Sequence, residues 1–189
     1  MLKSSIIDFQ MIERPRVGIS RCLLGDEVRY DGTHRLDETV IAWLGPHVEW
    51  VPVCPEVEIG MGTPREPIEL VMSGDGVRSL DARVRLFGVE SGTDWTHRMH
   101  AWAAARAGEL AALGLSGYVF KARSPSCGIG DVAIRDVESA RRGRGLFAEA
   151  VIRALPDLPV ADEASLADPA RRASFLERVL RRHVDRSSH

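Results

Sequence analysis

Three short apolar runs in this chain each break off into a cysteine-bearing loop bent by glycine or proline. Arg16–Ser20 runs into Arg-Cys22-Leu-Leu-Gly25, Val48–Val53 into Cys54-Pro-Glu56, and Tyr118–Lys121 into Ser124-Pro-Ser-Cys127-Gly128. Apolar runs of this length, bounded by turn residues, are strands. Between the first two, His34–Leu44 places Leu36, Val40, Trp43 and Leu44 at helical spacing, with Gly45 as a stop. A second helix is expected from about Asp94 to Leu113, with Thr93 or Asp94 as N-cap and Trp95, Met99, Trp102, Leu110 and Leu113 as its apolar face. Gly114 ends it just before the Tyr118 strand. Strands that alternate with helices form a parallel sheet covered by helices. The expected class is therefore α/β: a single-domain, open, mainly parallel sheet flanked by helices in a Rossmann-like three-layer arrangement. Ligands in such sheets bind beyond the carboxyl ends of the strands, where successive loops converge. The three cysteine loops should meet there.

The rest of the chain fits one domain. Leu146–Leu155 reads as a helix and Leu158–Val160 as a short edge strand, while Asp168 caps a last helix that Pro169 opens and that reaches about His183. Pro55–Ser91 is richer in glycine and proline, with Gly74-Asp-Gly76 as a turn between two short strands. Residues 1–15 are assigned as an N-terminal extension and 16–189 as a single domain that includes the C-terminal helical segment. There is no internal repeat and no low-complexity tract.

Charge narrows the function. A formal net charge of -2 and a pI near 6.3 give no global attraction to a phosphate backbone, which disfavours a general nucleic-acid binder and points to a small molecule. No apolar run approaches the roughly 18 residues of a membrane helix, and the start of the chain lacks a signal-peptide core, so a cytoplasmic location is expected. An odd set of three cysteines in a reducing compartment argues against a disulfide framework. Core cysteines normally sit inside strands or helices, so cysteines in Pro/Gly loops point to ligands or nucleophiles. Structural zinc takes four ligands, usually with C-x-x-C spacing, which is absent; a three-ligand zinc site stays open. A cubane held by three thiolates is the other solution, and it leaves one iron without a protein ligand. Spacing alone does not choose between them.

The motifs around the cysteines do. Cys22-Leu-Leu-Gly-x-x-Val-Arg-Tyr-Asp-Gly32, Pro52-Val-Cys-Pro-Glu-Val57 with Thr63-Pro-Arg65, and Arg123-Ser-Pro-Ser-Cys-Gly128 together resemble a former domain-of-unknown-function family that includes the thiouracil desulfidases. The resemblance runs from about Val17 to Phe147. It implies a [4Fe–4S] cluster on Cys22, Cys54 and Cys127 and a non-redox exchange of a thiocarbonyl sulfur for oxygen on a thiolated pyrimidine, free or as a nucleoside. Some similar proteins carry an extra C-terminal domain linked to thiolated RNA. Here the residues after Phe147 read as a helix, a short strand and a helix, which favours a small substrate.

Around the cysteines, Glu56 is expected to activate water and Ser124 to position the substrate, both as catalytic residues. Asp31, Arg65, Lys121 and Ser126 are expected to bind substrate, Arg as a planar fork and Lys as a point charge. Arg123 is a further cation beside the third motif. The run Arg141-Arg-Gly-Arg-Gly145 before a helix has the makings of a phosphate cradle, although a solvated basic turn is the better reading. Trp95, Met99 and Trp102 are assigned to the core, and His34, His47, His97 and His100 form no metal-spacing motif. Two rival readings stand beside the desulfidase. One is a non-catalytic module with a structural zinc or Fe–S site that binds a nucleotide or a protein partner. The other is a metal-free thiol enzyme with Cys127 as nucleophile, activated by Lys121 or Arg123.

Overall fold

The computed structural model describes residues 13–73, 84–136 and 140–187. Strand β1 (Arg16–Ser20) leads through a 3-10 turn (Arg21–Leu24) to helix α1 (Glu38–Leu44), strand β2 (Glu49–Val53) and the one-turn helix α2 (Pro55–Glu58). Strands β3 (Ile68–Met72) and β4 (Val84–Gly88) follow, then helix α3 (Thr96–Ala112) and strand β5 (Gly117–Phe120). The chain closes with β6 (Val132–Arg135), β7 (Arg141–Gly143), α4 (Leu146–Ala154), β8 (Val160–Asp162) and α5 (Pro169–Ser187). The expected turn at Gly74–Gly76 lies outside the described residues.

The expected parallel sheet is present, in the order β2-β1-β5-β8. Its two faces feed two cores, because side chains alternate along a strand. Tyr118 and Phe120 face α3 and α4, among Met99, Leu110, Phe147 and Val151, while Val17, Ile19 and Val119 face α1 and α5, among Val40, Leu44, Phe175 and Val179. Strands buried on both faces need apolar residues throughout, and all four residues of β5 are buried. Gly18 is required by the first of these cores. A Cβ there would stand 2.2 Å from the Tyr118 ring, which instead lies across β1 and stacks on Phe120 with ring centroids 4.0 Å apart.

In the second sheet, β4-β3-β6-β7, strands β3 and β4 fall where two short strands were expected, whereas β6 and β7 were not expected. It is mixed: β3 pairs antiparallel with β4 and parallel with β6, and β6 pairs antiparallel with β7. Strand β6 has only four residues with alternating burial, and β7 is made of arginines and a glycine, so neither carries the apolar run that marks a strand in sequence. Their pairing is a tertiary effect.

Boundaries moved for similar reasons. Helix α1 begins at Glu38, where Asp37 Oδ1 caps it by accepting from Val40 N at 2.9 Å, and not at His34. The preceding residues are tied instead to the Cys22 turn, with Arg35 N donating to Cys22 O (2.8 Å) and Asp37 N to Leu23 O (3.1 Å). Helix α3 starts at Thr96, whose amide donates to Asp94 Oδ1 at 2.9 Å, and Gly114 takes the left-handed φ of 71° just after its end. Strand β8 runs on to Asp162 and α5 to Ser187, past the expected ends.

A thiol-lined candidate active site at the carboxyl edge of the parallel sheet

The register of the sheet sets the site. Ser20 pairs with Val53 and Ile19 with Val119, so β1, β2 and β5 end level and the loops that follow them converge. Cys22 sits in the 3-10 turn closed by Gly25 at φ 96°, and Cys54 directly precedes α2, whose first residue is Pro55. Cys127 lies in the turn after β5. All three thiols line one cleft of about 320 Å³, together with Val28, Tyr30, Arg35, Glu56, Lys121 and Ser124. Among the described residues, however, no three His, Cys, Asp or Glu side chains close on a point as the ligands of a single ion would. The thiols frame a space instead.

The Cys127 turn is built by hydrogen bonds from both sides. Ser124 Oγ accepts from Ser126 N (3.3 Å) and Cys127 N (3.1 Å), and Ser124 O from Gly128 N (2.8 Å). The first-turn amides of α4 do the rest: Leu146 N donates to Pro125 O, and Phe147 N and Ala148 N both donate to Ser126 O. A helix start leaves such amides without intrahelical partners. Here the cysteine loop takes them, so the Arg141–Gly145 run offers no phosphate cradle. Arg141, Arg142 and Arg144 pair with Asp136, Asp131 and Glu149. Arg123, in the same loop as Cys127, holds a left-handed φ of 62°, a conformation a β-carbon disfavours.

Glu56 is buried and touches two of the three cysteine loops. Its Oε1 accepts from Ser126 Oγ, and its Oε2 lies 3.4 Å from Cys54 Sγ. Arg65 Nη2 stands 3.9 Å from the same Oε2. The rest of that guanidinium binds protein: Nη1 donates to Val28 O and Gly62 O at 2.9 Å each. Arg65 thus clamps the Val28–Tyr30 segment to the Glu56 helix. Lys121 lines the cleft but pairs with Glu163, whose other oxygen accepts Ala122 N at 2.7 Å. Two of the residues expected to bind substrate lie off the cleft wall. Asp31 accepts from Thr33 N and Oγ1 in a local turn and pairs with Arg29 at 3.4 Å, while Ser126 is fully buried beneath Glu56. Both build the frame of the site, because short polar side chains in turns bond backbone first.

Sequence reasoning missed Ser20, Arg35 and Glu163. Arg35 and Glu163 carry no local signal, since each is brought in by backbone hydrogen bonding or by β8. Ser20 had one: a serine immediately before the Cys22 turn reads as a cap, yet its side chain makes no capping bond.

Burial holds the thiols protonated. It raises Cys22 to about 11 and Cys54 to about 12, with the nearby Glu56 charge adding to both; Cys127 is pushed up further by burial, by Glu56 and by the other two thiols. An acid whose folded pKa is raised stabilises the fold below its unfolded pKa and loses that contribution as pH rises through the folded one. The metal-free protein is therefore expected to lose stability between about pH 9 and 12, by about 3 kcal/mol for Cys22 alone. Urea unfolding across that range measures it, and a flat profile would contradict the burial of these thiols. The same environment argues against Cys127 as an activated nucleophile, which needs a lowered pKa and exposure. Thiolates crowded in this way are relieved by a positive group placed between them.

An open parallel α/β sheet thus brings two buried thiols, one half-buried thiol and one buried carboxylate around a single cleft at its carboxyl edge. The chain belongs to the 2-thiouracil desulfurase family, whose model matches residues 17–163. It is 36% identical over 112 residues to the uncharacterized protein YbbK of Bacillus subtilis (strain 168), covering 59% of this chain and 72% of YbbK. Its fold matches a solved structure of TudS, described as a [4Fe–4S]-dependent thiouracil desulfidase, with a TM-score of 0.64 and 30% identity, covering 86% of this chain and 99% of TudS. No helix among the described residues is long and apolar enough to cross a membrane.

Proposed function

We propose that this protein is a [4Fe–4S]-dependent desulfidase that replaces the thiocarbonyl sulfur of a thiolated pyrimidine by oxygen without net redox change. The observation that carries the reading is the convergence of Cys22, Cys54 and Cys127 with Glu56 on one cleft. Three thiols spread around a space suit a cluster better than a lone zinc ion. When bound there, the cluster supplies an iron without a protein ligand, a Lewis acid with affinity for soft sulfur.

The chain's own residues do the remaining work. Glu56 takes the proton of the water that attacks the thiocarbonyl carbon. Ser126 and Arg65 hold its carboxylate in place, and ionisation of Cys54 for ligation removes the S–H that otherwise faces Oε2. Water's oxygen ends on carbon and sulfur leaves as hydrosulfide, so no electron enters or leaves. Ser124 Oγ accepts two amides and lies 3.4 Å from Ser126 Oγ, whose own proton goes to Glu56, so the Ser124 proton turns from this long contact to the substrate's carbonyl when substrate binds. Tyr30, 41% exposed, offers a flat surface to a planar ring. Lys121 supplies positive charge beside Cys22. Among the described residues neither Arg35 nor Arg123 forms an ion pair, and both line the cleft. Two unpaired guanidinium groups at the mouth favour a substrate with an anionic substituent, a nucleotide over the free base.

The test is anaerobic reconstitution with iron and sulfide, followed by thiouracil or thiouridine and the decay of the thiocarbonyl absorbance. Turnover with about four irons per chain, as a cubane requires, supports the reading. A loaded protein that leaves every thiolated pyrimidine intact would favour the non-catalytic module. In the same assay Glu56→Gln is expected to lower kcat by about 10²–10⁴-fold while cluster absorbance is unchanged. A loss confined to iron content would instead make Glu56 a folding residue.

A further inference from the structure

We infer that Arg29 is a positioning residue for substrate: it backs the Tyr30 ring on one face and holds it as a fixed stacking wall, so that a planar base docks on the other. This rests on the desulfidase reading above, which puts the substrate in the cleft.

Tyr30 lines the cleft and is 41% exposed. An exposed aromatic side chain must be ordered when a ligand stacks on it, unless the protein already holds it in place. Here Arg29 does. Its guanidinium carbon lies over the ring, 5.2 Å from the centroid, within the range of a cation–π contact. The guanidinium is fixed in turn, and its side chain is only 16% exposed. Arg29 Nη1 donates to Thr33 Oγ1 at 3.1 Å and stands 3.4 Å from Asp31 Oδ2. Thr33 then donates to Asp31 Oδ1 twice, from Oγ1 at 2.6 Å and from its amide at 3.2 Å.

The backbone closes around the same residues. Arg29 N donates to Thr33 O (3.1 Å) and Gly32 N to Arg29 O (3.0 Å), with Gly32 at the left-handed φ of 73° that such a turn requires. From the other side Arg65 N donates to Tyr30 O at 2.9 Å. The base of the Tyr30 side chain and one face of its ring are therefore set before a ligand arrives. A guanidinium covers one face of a ring, and the face it leaves is the one a base can use. Asp31 contributes to binding in this way without touching substrate, because it acts through Arg29.

Ligands that cannot react test this without turnover. Uracil, which carries no phosphate, and uridine monophosphate are titrated into anaerobically reconstituted wild type and variants, with Kd read by ligand-observed NMR and iron content measured in each protein. Tyr30→Phe keeps the ring and is expected to bind as wild type does. Tyr30→Ala is expected to bind both ligands about 5–150-fold more weakly, the worth of one aromatic stack on a base. Arg29→Ala is expected to lose about 2–10-fold, the ordering of one side chain, equally for both ligands, with iron content unchanged. In the Tyr30→Ala background it is expected to add nothing. Arg29→Lys keeps the charge without the planar fork and is expected to fall with Arg29→Ala. Unchanged binding in Tyr30→Ala or Arg29→Ala would overturn the assignment. So would an Arg29→Ala loss that persists without Tyr30 or is larger for the nucleotide, or an Arg29→Lys protein that binds as wild type; each would make Arg29 a direct phosphate contact. Lower iron content in both Arg29 variants would overturn it too, in favour of a role in folding the Cys22 turn. A loaded wild type that binds neither ligand and turns over no thiolated pyrimidine would remove the functional reading as well, a result recognised by not depending on residues 29 and 30.

Discussion

Replacing any one of Cys22, Cys54 or Cys127 by serine is expected to abolish both cluster loading and desulfidation. The three thiols come from three strands that end level, each sits on a differently built turn, and the sequence has no fourth cysteine to take the place of a lost one. Serine is nearly isosteric, but its hydroxyl is a hard, weakly acidic oxygen that does not replace a thiolate on iron. Cys22 is the informative case. It is the only one of the three that is not fully buried, so its replacement leaves the core intact. Circular dichroism should show a folded Cys22→Ser protein whose iron content and absorbance near the cluster band, about 400 nm, have collapsed. Retained turnover in any single variant would sink the three-thiolate reading.

Gly145→Ala should do nearly as much damage from outside the cleft. A Cβ at Gly145 would lie 2.4 Å from Ser126 C, 2.5 Å from Ser126 O and 2.8 Å from Cys127 N. These are backbone atoms that cannot rotate away. The φ of -69° suits alanine, so the obstacle is contact and not conformation. Relief requires α4 to withdraw from the loop, which breaks the amide bonds to Pro125 O and Ser126 O that shape the Cys127 turn. Overpacking of this kind costs about 1–3 kcal/mol, a fall in melting temperature of about 5 °C or more for a chain of this size. Cluster loading should fall with it, because Cys127 moves with Ser126. Gly130→Ala is the control: the same loop region, with nothing within 4 Å of the added carbon. Equal melting temperatures and iron contents in the two variants would show that α4 does not hold the loop.

Both predictions depend on how much of the site lies in backbone hydrogen bonding, which also marks the limit of what was legible beforehand. The cysteines, Glu56 and Ser124 could be picked out because each lies within a few residues of a strand end, and strand ends are visible as the close of an apolar run. Ser126 and Asp31 were equally visible as loop residues, but the direction each side chain takes was not. One lies under Glu56 and the other in its own turn, and which way a side chain faces within a loop is not encoded in periodicity. Arg65 was read as a ligand for substrate. Its partners Val28 O and Gly62 O are carbonyls, and a carbonyl has no residue-specific signature.

By itself the sequence determined the parallel sheet, the helices that cover it and the meeting of three cysteine loops at its carboxyl edge. Those features follow from hydrophobic period, helix caps and the level ends of strands, all of which are local. Only the tertiary structure decided the addition of β6 and β7 to a second sheet, the capture of the α4 amides by the Cys127 turn, the Lys121–Glu163 pair and the bond from Lys121 N to Ser20 Oγ. Each of these joins residues far apart in the chain. They bond because burial leaves their polar groups no water to bind, and that requirement appears only once the chain has packed.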